Sequence, residues 1–195
     1  ERKLPFCIYV TTDFPDRRAV LWWYLFDELF SKNDQIMVRV NNIETKYECA
    51  SPIQQDQTEL ALRRKIKGCL PQNLDTLLKA IFSHNKIDLF HKTEELALTW
   101  DEISLLSDDP LVTIGAHSIH HYSLKTLSPT ELIQEFSLSR TVIEEKIRKS
   151  ITHFAYPYGS KFEAGKREFG FAAQTGYLTA VTSRMANIFP QHKYH

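Results

Sequence analysis

His117 and His121 stand four residues apart in Gly115-Ala116-His117-Ser118-Ile119-His120-His121-Tyr122-Ser123-Leu124. On one turn of helix that spacing sets both imidazoles on the same face, close enough to share one ion. A neutral imidazole is a common zinc ligand, and two of them leave positions for a carboxylate and a water. The pair follows an apolar run, Leu111-Val112-Thr113-Ile114, that reads as a buried strand. A strand-to-helix junction is also where α/β folds place their chemistry. Taken alone, two histidines at this spacing favour a surface or hydrogen-bonded role over a ligand role. His120 has the wrong phase to share a face with its neighbours and reads as a supporting or exposed residue.

A second patch, Phe154-Ala155-Tyr156-Pro157-Tyr158-Gly159, changes that balance. Together the two patches resemble the polysaccharide deacetylases, the NodB-type carbohydrate esterases. That family carries a His-(Ser/Thr)-x-x-His metal motif, matched by His117, Ser118 and His121, and a later Pro-Tyr motif at a strand end, matched by Pro157 and Tyr158. Further matches lie at Pro5-Phe6-Cys7-Ile8-Tyr9-Val10-Thr11-Thr12, similar to the family's second strand, at Leu98-Thr99-Trp100-Asp101-Glu102, and from Gly170-Phe171 through Ala180-Val181-Thr182. Ala155 stands where the family often has Arg. The Ala-Tyr-Pro-Tyr-Gly form looks closest to the exopolysaccharide, poly-N-acetylglucosamine-type deacetylases. Two family motifs have no match here. The Thr-Phe-Asp-Asp-Gly segment that supplies a base aspartate and a metal-binding aspartate would precede this chain. The final Leu-x-His has no counterpart either, since His192 and His195 sit in a polar tail.

The resemblance implies a distorted (β/α) barrel of the NodB type, incomplete at the N-terminus and at the C-terminus. It implies one domain over residues 1–195, with an elaboration over roughly 27–92. It also implies a divalent ion, zinc foremost, held by His117 and His121, with Ser118 bonded to the histidine turn or acting as a plain cap. The Tyr158 backbone N–H would face a tetrahedral oxyanion. Tyr156, Pro157 and Tyr158 would form a wall against an N-acetylated amino-sugar polysaccharide. Hydrolysis of an unactivated amide needs a strong nucleophile, which a metal-bound water supplies near neutral pH. Without a base aspartate or an acid histidine, the chain alone is expected to be inactive. The alternatives are a carbohydrate-binding member without catalysis and a metal-dependent amidase acting on a small amide. The bare reading of Tyr-Pro-Tyr-Gly is a rigid turn. Asp13, at the end of the first strand, reads as a turn residue or as a group near the metal or the sugar. Of Trp22 and Trp23, one should be core.

The elements that must position these groups follow from periodicity. Strands are predicted at Phe6 to Thr12, Ile36 to Val40, near Tyr47, Val112 to Ile114, His153 to Tyr156 and Leu178 to Thr182. Helices are predicted at Ala19 to Ser31, Thr58 to Lys67, Asn73 to Ser83, Trp100 to Ser107, Ser128 to Lys149 and Ala164 to Thr175. Thr99 with Glu102, and Ser128 with Pro129 and Glu131, carry capping-box signatures. Strands alternating with helices imply βαβ units and a parallel sheet.

Composition sets outer bounds. A chain of 195 residues with 43% hydrophobic content can bury one sizeable core. Lys+Arg and Asp+Glu both number 24, so the formal net charge is zero and a nucleic-acid partner attracted by a basic field is disfavoured. Nothing approaches the 18 or more apolar residues of a membrane span. Cys7, Cys49 and Cys69 lack Cys-x-x-Cys spacing, which disfavours a thiolate zinc site, and Cys7 reads as a small core residue.

Overall fold

The computed structural model describes residues 3–185 and 187. The chain divides into two compact units, residues 1–18 with 98–195 and residues 19–97. The predicted tail histidines, His192 and His195, lie outside the described residues.

The first unit is an α/β unit built on a parallel sheet. Its strands are β1 (Phe6–Val10), β4 (Val112–Ala116), β5 (His153–Ala155) and β6 (Thr179–Val181), in the order β1-β4-β5-β6. Every neighbouring pair is parallel. Among the described residues this sheet has β1 and β6 at its two edges and does not close, so the expected barrel is incomplete. Among the described residues of the unit, three α-helices occur: α5 (Trp100–Ser107), α6 (Pro129–Ile147) and α7 (Lys166–Gln174). Helix α5 starts where its capping box places it, with the Thr99 hydroxyl accepting from Glu102 N–H and the Glu102 carboxylate accepting from Thr99 N–H. Helix α6 starts in the same way from Ser128 and Glu131.

The core of this unit lies between sheet and helices. Ile114, Ala116, Phe154 and Tyr156 meet Leu132, Phe136, Ile143 and Ile147 of α6 there, with Tyr177 beside them. The Phe136 and Phe154 rings are 4.5 Å apart between centroids. Register between β1 and β4 sets Tyr9 opposite Gly115. A Cβ at Gly115 would lie 2.6 Å from the Tyr9 ring, so this strand position needs the bare backbone. Cys7, expected in the core, is exposed, because β1 ends the described sheet.

The second unit contains the antiparallel hairpin β2 (Gln35–Val40) and β3 (Ile43–Glu48) with helices α1 (Phe26–Lys32), α2 (Pro52–Lys67), α3 (Pro71–Ile81) and α4 (His91–Leu96). Its core includes Phe26, Leu29, Ile36, Leu62, Ile81 and Phe82. The predicted first helix is split here into a 3₁₀ turn, Trp22–Tyr24, and α1. Trp22 is the buried member of the tryptophan pair, and the Arg63 guanidinium lies 5.4 Å from its ring. No helix among the described residues is long and apolar enough to cross a membrane.

Candidate active site

Asp13, His117, Ser118, His121, Tyr156, Pro157 and Tyr158 sit beyond the C-terminal ends of the parallel strands. Open parallel sheets offer ligand sites at that end. Beyond β1 come Thr11, Thr12 and Asp13, beyond β4 the stretch His117 to His121, and beyond β5 the turn Tyr156 to Gly159.

The β1–β4 pairing runs on into the histidine loop. His117 N–H donates to the Val10 carbonyl at 2.8 Å, and Asp13 N–H donates to the Ile119 carbonyl at 3.0 Å. The Thr11 hydroxyl donates to the His117 carbonyl at 2.7 Å. These bonds fix the loop without a helix. Ser118 and His121 both adopt left-handed backbone, with φ of 67° and 58°. The one-turn-of-helix premise is therefore corrected: residues 117–121 form an irregular loop. The two rings are nevertheless brought together, 4.8 Å apart between centroids and near perpendicular at 70°. Ser118 is fully buried, and its hydroxyl accepts from His121 N–H at 3.1 Å, which holds the second left-handed residue in place.

The His117 Nδ1 lies 2.7 Å from the Ala155 carbonyl on the neighbouring strand. A carbonyl only accepts, so Nδ1 carries the proton and Nε2 carries the lone pair. Burial lowers the His117 pKa, with the Ala155 bond pulling the other way. The imidazole thus stays neutral near pH 7, as a metal ligand must be. The fit to a divalent ion is that of a two-nitrogen fragment. Among the described residues, no group of three or more His, Cys, Asp or Glu side chains converges as a metal cluster.

Asp13 is buried. Its Oδ1 pairs with Arg18 at 2.9 Å and its Oδ2 lies 3.7 Å from His120 Nε2. Burial raises the Asp13 pKa, opposed by His120 and Arg18. His120 Nδ1 bonds Glu135 Oε1 of α6, and Tyr122 stacks on the His120 ring at 4.7 Å and 7°. Burial acts to lower the His120 pKa, but the hydrogen bond and charge of Glu135, with the charge of Asp13, raise it overall. Glu135 is itself buried at 4% exposure. Sequence reasoning passed over it, yet a signal was present. It falls three residues after Leu132 and four before Ser139, inside the buried stripe of an amphipathic helix, where a carboxylate is rare unless partnered.

The turn after β5 is built differently. Tyr158 and Gly159 are consecutive left-handed residues, with φ of 61° and 60°. A Cβ on Gly159 would come within 2.5 Å of Ser183 N. Ser183 closes the turn, its hydroxyl donating to the Tyr158 carbonyl at 2.6 Å. The Tyr158 ring stands edge-on to His121 at 4.8 Å, so this turn reaches the histidine pair. Tyr156 does not line a groove: it is 3% exposed and packs on Phe136, Phe154 and Phe169. Its expected role as a stacking face for a sugar is corrected to that of a core ring. Pro157 is buried too, which leaves Tyr158 as the partly exposed member of the expected wall.

Comparison with known proteins bears on the same region. No curated protein matches the sequence. A solved de-N-acetylase from Aggregatibacter actinomycetemcomitans is similar at 20% identity and a TM-score of 0.40, over 49% of this chain and 46% of that one. The BpsB deacetylase domain from Bordetella bronchiseptica is similar at 16% identity and a TM-score of 0.46, over 51% of this chain and 47% of that one. IcaB from Ammonifex degensii is similar at 19% identity and a TM-score of 0.37, over 45% and 41%. The chain thus matches somewhat under half the length of each of these structures. The polysaccharide deacetylase family model matches residues 70–179, more than half of the chain and a span that includes both patches, and the chain belongs to that family.

Proposed function

We propose that the full-length protein is a metal-dependent hydrolase that removes N-acetyl groups from an amino-sugar polysaccharide, with His117 and His121 as ligands of a divalent ion, zinc foremost. One observation carries the reading. In a chain of this family, the His117 Nδ1–H is committed to the Ala155 carbonyl, which leaves Nε2 as a donor beside the His121 ring 4.8 Å away. A bound divalent ion supplies a water of lowered pKa and polarises the acetyl carbonyl. The chain's own residues do the rest. Ala155 fixes the His117 tautomer, as outer partners of ligating histidines generally do. Ser118 holds the His121 backbone. The Tyr158 turn carries a backbone N–H toward the oxyanion that forms as the amide is attacked, and its ring forms the exposed part of the sugar wall.

The test is acetate release from an acetylated glucosamine oligomer by the full-length protein. Activity should vanish on chelation and return on adding zinc. Retained zinc with no acetate release would assign carbohydrate binding instead. Release from small acetamides, but not from oligomers, would assign a small-amide amidase.

A further inference from the structure

The loop that carries His117 and His121 spans five residues, two of them in left-handed conformation, and is not itself helical. Bonds within the loop and from neighbouring elements fix its shape. Ser118 serves its His121 end and Thr11 its His117 end. The middle, Ile119-His120, is held from α6. Glu135 Oε2 accepts from Ile119 N–H at 2.8 Å and from His120 N–H at 3.3 Å, while Oε1 takes the His120 ring nitrogen. One buried carboxylate therefore makes three bonds to Ile119 and His120, two of the three residues between the histidines. From the opposite side Asp13 N–H binds the Ile119 carbonyl, and the Asp13 carboxylate faces His120 Nε2.

We infer that Glu135 is a positioning residue for the metal site. It acts through the backbone of Ile119 and His120 to set the separation and orientation of the His117 and His121 rings before any ion arrives. The physical argument is one of preorganisation. A loop with two left-handed residues has many other conformations open to it, and an ion would have to order it on binding. A carboxylate that accepts two backbone N–H groups and an imidazole removes that freedom in advance. Glu135 has the reach for this because α6, capped by Ser128, puts the side chain on the sheet-facing stripe between Leu132 and Ser139. The inference rests on the metal reading above.

The experiment measures zinc affinity of the full-length protein by competition with a chromophoric chelator, together with amide exchange of Ile119 and His120 in the metal-free state. Glu135→Ala should weaken zinc by about 10–100-fold, the usual cost of losing an outer partner of a metal site, and should speed exchange at both amides. Glu135→Asp, one methylene shorter but still charged, should do the same in smaller measure and covers the case in which the alanine variant does not fold. Glu135→Gln keeps a carbonyl for the two N–H groups and should restore most of the affinity. Ile143→Ala, a core truncation on the same helix away from the loop, should lower the melting temperature with zinc affinity unchanged. Zinc affinity that follows melting temperature across all variants, or that is unaltered in Glu135→Ala and Glu135→Asp, overturns the inference. His121→Ala separates the two levels. If it retains zinc, the ligand assignment fails. If it loses zinc while both Glu135 variants keep it, only the positioning role fails.

Discussion

The loop after β4 and the turn after β5 leave neighbouring strands of one parallel sheet, and their aromatic rings meet where His121 faces Tyr158. Their supports have little in common. The histidine loop is gripped by side chains from two other elements, Thr11 and Asp13 beyond β1 and Glu135 on α6, and by the Ala155 carbonyl. The Tyr-Pro-Tyr-Gly turn is fixed by its own backbone geometry, by Ser183 and by the burial of the Tyr156 ring. A polar loop with long-range partners holds its rings through hydrogen bonds that a conservative substitution can remove. A turn rooted in a core ring fails through packing and strain. Substitutions in the first region should therefore act on ligand binding ahead of stability, and those in the second on stability ahead of binding.

The largest effect expected on function is that of His117→Ala. It removes both the proposed ligand and the brace to Ala155, and acetate release should fall to the uncatalysed level while the melting temperature moves little. On the other side of the comparison, Tyr156→Ala should lower stability by about 3–5 kcal/mol, as large aromatic truncations in cores do, measured by urea denaturation. Gly159→Ala puts a side chain at φ of 60° against Ser183 and should destabilise by about 1–3 kcal/mol, with a further fall in turnover as the Tyr158 backbone shifts. If Gly159→Ala left stability unchanged and only weakened zinc, the contrast between the two regions would collapse.

A smaller effect concerns the floor of the same unit. Glu168 on α7 is fully buried and bonds Lys125, Arg167 and the Gly165 N–H. Burial pushes its pKa up, but those bonds outweigh it and the net direction is down. A depressed folded-state pKa means that the native state binds fewer protons than the unfolded chain. The stabilisation is therefore complete above the ordinary Glu value, about 4.3, and is lost as pH falls through the lower folded value. Glu168→Gln should cost ~2 kcal/mol near pH 7, the scale of hydrogen bonds to a charged group, and the gap to the unsubstituted protein should close in acid. The smallest shift is expected for Tyr156→Phe. The Tyr156 hydroxyl is buried with no partner among the described residues, so its loss should leave stability within about 1 kcal/mol or raise it.

Local signals in the sequence located the helix starts at Thr99 and Ser128, because a capping box is written within four residues. The start of α2 carries the same signature in Ser51, Pro52 and Gln54. Its apolar pattern is thin there, with Ile53 and Leu60 exposed, so periodicity alone began the helix later. Helix α4 has six residues and no side-chain cap, which leaves little to read. The parallel sheet was legible in the alternation of strands and helices, and the order of its elements held. The shape of the histidine loop was not, since a spacing of four suits a helix and also suits this irregular loop. What separates the two is the left-handed Ser118 and His121, together with partners 15 to 106 positions away in sequence. Tyr156 was misread for a related reason. The resemblance set it in a sugar wall with Pro157 and Tyr158, but the strand ends at Ala155 and the Tyr156 ring turns into the core.

The central claim is that His117 and His121 together hold a divalent ion. Elemental analysis of zinc in the purified full-length protein and in its His121→Ala variant tests it most directly, with circular dichroism to establish that the variant is folded. The account predicts bound zinc in the unsubstituted protein and its loss from a folded His121→Ala variant. Equal zinc content in the two proteins would contradict it.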